Sequence, residues 1–229
     1  MKRKLDQYSR VLTPEQVAEG MNAADRNASR LLNDSRMLMK NHRYPSAASL
    51  AILAIEEAGK TSILRQIALE TDGVAVTKAW QSYRSHTKKN AAWLLPQLVS
   101  DGARRLDDLR PLFEGKAEHP HLLDQVKQIG IYTDCLGKAH WSEPAVVIDE
   151  ALARLLISIA GILVRDRKTT AREIELWVEH IKPFWRGPVE LMKVGLLNWN
   201  AAMRHEGLAK EDSTWEDFLR PTSATEVND

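Results

Sequence analysis

The sequence has few of the features that mark secreted and membrane proteins. It contains one cysteine, Cys135, which excludes an intramolecular disulfide framework and suits the reducing cytosol. The basic first residues, MKRKLDQYSR, are not followed by an apolar segment and so do not form a secretory signal. The longest apolar runs, such as residues 155–164, are too short to span a bilayer. These absences predict a soluble, cytoplasmic protein with no membrane partner.

The sequence also lacks a charge bias and any β-strand pattern. Its net charge is +1, so a nucleic acid would have to be bound by a local patch rather than by the whole surface. Hydrophobic residues make up 44% and charged residues 28% of the chain, which is typical of a globular domain. Helical spacing recurs through most of the chain, without strand alternation, internal repeats or low-complexity tracts. We therefore predict an all-α helical bundle with additional C-terminal helices.

The chain divides into a basic start, a long helical region and an acidic end. Residues 1–12 are predicted to form a flexible basic lead-in, residues 13–205 a single all-α domain, and residues 206–229 an acidic, mobile tail. Thr13 is a predicted helix cap, with Pro14 in the first helical position and Gln16 completing a capping box. In the tail, one docked turn is predicted around Trp215.

Apolar spacing and turn residues set the predicted helix boundaries. The first two long helices are joined by so short a link that they should pack antiparallel. Pro96 should kink or end the third helix. Residues 130–144 are aromatic and aperiodic, which predicts an ordered loop. The predicted helices are 13–41, 45–71, 74–96, 119–129, 145–164, 170–181 and 189–205.

Three charged residues interrupt the mostly apolar second helix. Glu56 and Glu57 lie four and three residues before Lys60, so either acid can pair with this lysine on the helix surface. An exposed salt bridge is one interpretation. The flanking leucines and isoleucines favour the other, a buried polar group that must be compensated. Gly59 is costly in the middle of a helix, which suggests that another segment approaches closely there.

The third helix is basic on one side. Between Gly73 and Ser100 the sequence has no acid. A solvated basic face is the simpler interpretation of Arg84, Lys88 and Lys89. In the functional interpretation, His86 and Lys89 face the acids of the second helix across the bundle. A histidine beside carboxylates suits acid–base chemistry or the binding of an anion.

The loop at residues 130–144 is expected to pack against the bundle through its aromatic side chains, while Asp134 could point into a site. No metal or cofactor is predicted, because His119, His121, Cys135 and His140 match no familiar zinc spacing. The chain also lacks a glycine-rich phosphate loop.

Three motifs resemble those of a known family. E-E-x-G-K at residues 56–60, H-x-x-K at residues 86–89, and a Y-x-D loop leading to W-x-x-P at residues 132–144 occur in that order. Over roughly residues 20–165 the chain resembles the AbiV family of bacterial abortive-infection proteins, which is grouped with the HEPN helical bundles. The resemblance implies anti-phage defence directed at RNA or the translation apparatus, and a homodimer.

The resemblance also implies a site. Its implied catalytic residues are His86, Glu56, Glu57, Lys60 and Lys89. The predicted substrate-binding residues are Tyr132 and Asp134, from the Y-x-D motif, and Arg84 and Lys88, from the basic helix that would attract phosphate.

Whether this site is enzymatic is left open by the sequence. HEPN relatives that cleave RNA carry R-x4–6-H near the last bundle helix, with a polar residue after the arginine. The close match here, Arg36 and His42, lies on the first helix and is followed by Met37. The alternative is a non-enzymatic binding module, in which the Glu/Lys/His cluster is a structural network and the protein acts by binding a phage or host partner.

Overall fold

The computed structural model describes residues 6–112, 118–212 and 215–220 of the 229-residue chain. The predicted all-α fold is confirmed, because a helical bundle carries only one small two-stranded sheet in this part of the chain. The helices are α1 (Pro14–Lys40), α2 (Tyr44–Leu69), α3 (Gly73–Arg84), α4 (His86–Lys89), α5 (Leu95–Ser100), α6 (His119–Ile131), α7 (Pro144–Val147), α8 (Glu150–Leu163), α9 (Ala171–Ile181), α10 (Val189–His205) and α11 (Glu216–Leu219).

Helices α1 and α2 form an antiparallel pair. The predicted capping box begins α1, where the Thr13 hydroxyl accepts from the Gln16 N–H and the Gln16 side chain accepts from the Thr13 N–H. The first residues of α1, including Val17, pack with the end of α2, and Leu31 near the end of α1 packs with the beginning of α2. The apolar faces of the two helices are therefore buried against each other along their length.

Helix α2 is the centre of the bundle. It contacts α1, α3, α4, α6, α8 and α9, and it contributes buried residues to two hydrophobic clusters. Its apolar residues point in several directions, as expected of a helix that is enclosed on most sides. A charged side chain that is buried on α2 is therefore costly unless it is paired or hydrogen-bonded.

The prediction of one continuous helix over residues 74–96 is wrong. Helix α3 ends at Arg84, and Ser85 has an extended backbone with a ψ of 130°. The chain then forms α4, a 3₁₀ turn at Ala91–Leu94, and α5. Pro96 lies in the first turn of α5, where a missing N–H costs nothing, so it neither kinks nor ends a helix. The break places His86 at the beginning of a separate short helix.

The predicted helix over residues 145–164 is also interrupted. Helix α7 ends at Val147, Ile148 is buried, and the Asp149 carboxylate caps α8 by accepting from the Leu152 N–H at 2.8 Å. The expectation that the chain has no strand is corrected by an antiparallel hairpin. Its strands are β1 (Asp134–Leu136) and β2 (His140–Ser142), with Cys135 opposite Trp141.

The hairpin region does not pack as predicted. Tyr132 is 61% exposed and Trp141 is 73% exposed, so these aromatic side chains do not close one end of the core. The turn between the strands is tight, and both Gly137 and Ala139 have a positive φ. The backbone hydrogen bonds of β1 and β2 join the two strands to each other.

A tryptophan cluster joins the C-terminal helices. Thr170 begins α9 with a second capping box, completed by Glu173. The ring of Trp199 on α10 lies 5.2 Å from Trp177 on α9 and 5.4 Å from Trp215, measured between centroids.

The one docked turn predicted for the tail is α11, whereas residues 221–229 lie outside the described residues. None of the helices described is both long and apolar enough to cross a bilayer.

Candidate functional site

Glu56 is the centre of a buried polar cluster. Its side chain is 2% exposed and faces two neighbouring helices, α4 and α6. The Oε2 atom lies 2.7 Å from His86 Nδ1 and 3.6 Å from Lys89 Nζ. The Oε1 atom accepts a hydrogen bond from Lys127 Nζ at 2.6 Å. The predicted approach of His86 and Lys89 to the acids of α2 is thus present for Glu56.

Lys127 was not found from the sequence, although it completes the cluster. It lies on α6 and also pairs with Asp124, one helical turn earlier, at 2.7 Å. Burial alone would lower the pKa of Lys127, but hydrogen bonds to Asp124 and Glu56 outweigh it and raise the pKa. A signal was present, because Lys127 follows the buried Leu123 by four residues and precedes the buried Gly130 by three. That spacing places it on the apolar face of α6.

Lys89 is held in place by backbone packing. A Cβ atom at Gly59 would lie 2.0 Å from the carbonyl oxygen of Lys89, so only glycine permits α2 and α4 to approach this closely. The approach buries the Lys89 side chain, which is 7% exposed. Burial lowers the pKa of Lys89, although nearby Glu56 opposes the change. The prediction that another segment approaches at Gly59 is confirmed.

Glu57 and Lys60 form a separate pair on the neighbouring stripe of α2. Their side chains are joined at 2.6 Å and are 17% and 18% exposed, so the pair is neither fully buried nor freely solvated. The Lys60 ammonium also lies 5.1 Å from the centre of the Tyr83 ring. Both groups affect the pKa of Lys89, which places them beside the Glu56 cluster rather than within it.

His86 is the open end of the cluster. Its side chain is 56% exposed, whereas the Glu56 side chain to which it is bonded is almost fully buried. When Nδ1 donates to Glu56, the other ring nitrogen is free to accept a proton, and the carboxylate fixes the orientation of the ring. The arrangement is thus a buried carboxylate that orients an accessible acid–base group.

Comparison with known protein families shows to which family the chain belongs. The HEPN_AbiV family model, described as AbiV, matches residues 16–165. The chain belongs to the AbiV family. No curated protein and no solved structure matches it. Membership in this abortive-infection family indicates a role in anti-phage defence. The Glu56 cluster lies entirely within the matched residues, and α9 to α11 follow them.

The four predicted substrate-binding residues do not meet at this cluster. Arg84 is directed towards the N-terminal segment, because its guanidinium stacks over Trp80 and bonds the Tyr8 carbonyl. Asp134 bonds within the hairpin, where its carboxylate accepts from the N–H of the next residue at 2.7 Å. Tyr132, two residues before β1, is exposed. Lys88 is exposed on α4 beside His86. Arg84 and Lys88 are each two residues from His86 in sequence, and of these two Lys88 is the exposed one.

The residues closest to an R-x4–6-H motif do not form a pair. The Arg36 guanidinium lies against Gly161 of α8. His42, at the end of α1, has its Nδ1 atom 2.8 Å from the Tyr44 hydroxyl, which donates to Glu150. These two side chains thus have different neighbours.

Glu56, His86 and Asp124 have the spacing of a metal site, since their ligand atoms lie within 4.8 Å of one another. Lys127, however, contacts both carboxylates, at 2.6 Å and 2.7 Å. Its ammonium therefore supplies the positive charge that a cation would bring, and a metal ion would have to displace it. The donor set fits an internal ion-pair network better than a metal centre.

Proposed function

We propose that this AbiV protein acts in anti-phage defence by acting on RNA, with His86 as the acid–base group. The observation that carries the proposal is the contrast within one hydrogen bond, in which an accessible imidazole is bonded to a buried carboxylate. A histidine side chain can both accept and donate a proton, and a carboxylate that holds one ring nitrogen fixes the orientation of the other.

The chemistry would be proton transfer at a phosphodiester. The free nitrogen of His86 removes the proton of a ribose 2′-hydroxyl, whose oxygen attacks the adjacent phosphorus. The bond from phosphorus to the 5′-oxygen breaks, which leaves a 2′,3′-cyclic phosphate, and the departing 5′-oxygen takes up a proton from water. Glu56 stabilises the imidazolium that forms. Lys88, which is exposed, and Lys60, which is partly exposed, would attract the phosphate by their charge. Lys89 and Lys127 would compensate Glu56 rather than contact RNA, since both are buried.

The test compares purified wild-type protein with His86→Gln on total bacterial RNA. His121→Gln is the matched control, because His121 is also an exposed histidine and lies in the first turn of its helix, α6. We expect degradation or modification of RNA by the wild type and the control, and a loss of about a hundredfold or more in His86→Gln, which is the scale of general acid–base catalysis. Equal RNA loss in wild type and His86→Gln would refute the role of His86.

A binding module is the second candidate function. It is favoured by the pairing of Glu56, Glu57 and Asp124, each of which contacts a lysine within 2.7 Å. Such a cluster would fix the positions of α2, α4 and α6, while a phage or host partner binds elsewhere. An infection assay separates the two candidates. Protection that survives in His86→Gln cells favours the binding module, and loss of protection with an unchanged melting temperature favours chemistry at His86.

We also propose that the protein forms a homodimer through α8. Leu155 and Ile162 are 54% and 64% exposed, and they lie on one face of α8 with the small residues Ala151 and Ser158. An exposed apolar helix face is self-complementary when two copies pack across a twofold axis. Light scattering should give twice the chain mass for the wild type. The double variant Leu155→Glu/Ile162→Glu should be monomeric, whereas Val74→Glu, at an exposed valine on α3, should not.

A further inference from the structure

A second polar site lies near the C-terminal end of α2, where the C-terminal helices meet the bundle. A cavity of about 240 Å³ opens there. It is bordered by residues of α2, of the α8–α9 connection, of α10 and of the segment before α11. Those that matter here are Arg65, Arg165, Arg167, Trp199, Asn200 and Trp215.

Three arginines share this cavity with too few acids. Arg165 Nη2 lies 3.5 Å from the Asp25 carboxylate, and Arg167 pairs with Glu173. Within the described part of the chain, Arg65 has no carboxylate within 4 Å. Its guanidinium lies instead about 5 Å above the rings of Trp177 and Trp199. The cavity therefore carries an excess of positive charge.

Several buried donors at the cavity are unused. Among the described residues, Arg65 Nε, Arg165 Nη2 and Trp199 Nε1 are inaccessible to solvent and have no hydrogen-bond partner. Burial, together with the neighbouring Arg165 and Arg167, lowers the pKa of Arg65 to about 10. Buried donors without acceptors are rare in proteins because each is costly. An anion bound in the cavity would reduce the repulsion among the guanidinium groups, and side chains that turn towards it would gain the missing acceptors.

We propose that this cavity binds the phosphate group of a small phosphorylated molecule, with the rest of that molecule lying against Trp215. Guanidinium groups match phosphate oxygens in charge and in hydrogen-bond geometry. The indole rings that border the cavity offer a surface on which a planar ring can stack. The size of the cavity suits a compact ligand rather than a polymer. This site is independent of the Glu56 cluster and of the function proposed for it.

The experiment is isothermal titration calorimetry of the full chain with inorganic phosphate, ribose 5-phosphate and adenosine monophosphate. Arg165→Gln removes one donor at a partly exposed side chain, and Arg167→Gln is a second variant in case the first does not fold. The matched control is Arg154→Gln, because Arg154 is an exposed arginine paired with Glu150 on α8. We expect either cavity variant to weaken binding by about tenfold or more, as loss of a charge-assisted hydrogen bond does.

Saturable binding that is lost in the cavity variants and kept in Arg154→Gln supports the site. Tighter binding of adenosine monophosphate than of phosphate, reduced by Trp215→Leu, assigns a nucleotide-like ligand, whereas equal affinities assign free phosphate. The proposal is overturned if none of the three compounds binds at millimolar concentration. Binding that is unaffected by both cavity variants would overturn it as well.

Discussion

Two buried carboxylates in the same bundle differ in whether their oxygens have hydrogen-bond partners. Glu56 on α2 uses both oxygens, accepting from Lys127 at 2.6 Å and lying 2.7 Å from His86 Nδ1. Asp25 on α1 is also buried, but neither of its oxygens has a hydrogen-bond partner among the described residues. Its ion-pair partner is Arg165, at 3.5 Å. Within residues 6–112, 118–212 and 215–220, the hydrogen bonds of Glu56 are complete and those of Asp25 are not.

The difference shows what each site needs. Burying an ionised group is tolerated when its hydrogen bonds are replaced, and the Glu56 cluster replaces them with side chains from α4 and α6. The arginine cavity near Asp25 leaves both donors and acceptors unsatisfied. The two sites are nine residues apart on α2, at Glu56 and Arg65, which is about 13 Å along the helix axis. The first can therefore serve as a framework for His86, while the second requires a ligand to be complete.

The largest effect is expected from Glu56→Gln. This change leaves the buried ammonium of Lys89 without its carboxylate and removes one of the two carboxylates that contact Lys127. Breaking a buried pair from one side costs about 3 kcal/mol or more, or about 10 °C in melting temperature for a chain of this size. Urea and thermal unfolding measure this loss of stability.

Glu150→Gln, at an exposed pair with Arg154, is the control and should cost less than about 1 kcal/mol. A Glu56→Gln protein as stable as this control would mean that the cluster is solvated.

A smaller effect is expected from Gly59→Ala. The added Cβ atom would lie 2.0 Å from the Lys89 carbonyl oxygen, which is backbone and cannot rotate away. Helix α4 must move outward, and we expect a net loss of about 2 kcal/mol despite the better helix propensity of alanine. Gly73→Ala is the matched control, because nothing lies within 4 Å of its added Cβ atom. Equal stabilities of the two variants in urea would show that α4 does not pack on Gly59.

Much of this comparison could be predicted from sequence, but only where charge interrupts a strong apolar pattern. Glu56 was found because it falls between isoleucines and alanines of a long helix. Lys127 was missed because α6 is short and its apolar face is marked by few residues. The break at Ser85 was not predicted, because no glycine or proline stands next to it in the sequence. The local sequence permits a continuous helix, and tertiary packing of α4 against Gly59 overrides that preference.

The arginine cavity was beyond the reach of sequence reasoning for a different reason. Arg65, Arg165 and Trp215 are far apart in the chain, and each looks like an ordinary residue of its own segment. Only the docking of the C-terminal helices places their side chains together. A long-range site with no local pattern leaves nothing for periodicity or motif spacing to detect.

The smallest effect is expected from Asp25→Asn. The change removes no hydrogen bond and ends the cost of burying a charge, so it should alter the free energy of unfolding at neutral pH by less than about 1 kcal/mol.

Burial raises the pKa of Asp25 above its usual 3.8, an effect that Arg165 opposes. The folded state therefore holds this proton more tightly than the unfolded state. The stability of the wild type relative to Asp25→Asn should be greatest below pH 3.8 and should fall as the pH rises through the raised pKa. Urea unfolding of both proteins from about pH 3 to about pH 7 measures this difference. If Asp25→Asn instead costs as much as Glu56→Gln at neutral pH, then Asp25 has strong partners in solution, and the contrast between the two carboxylates fails.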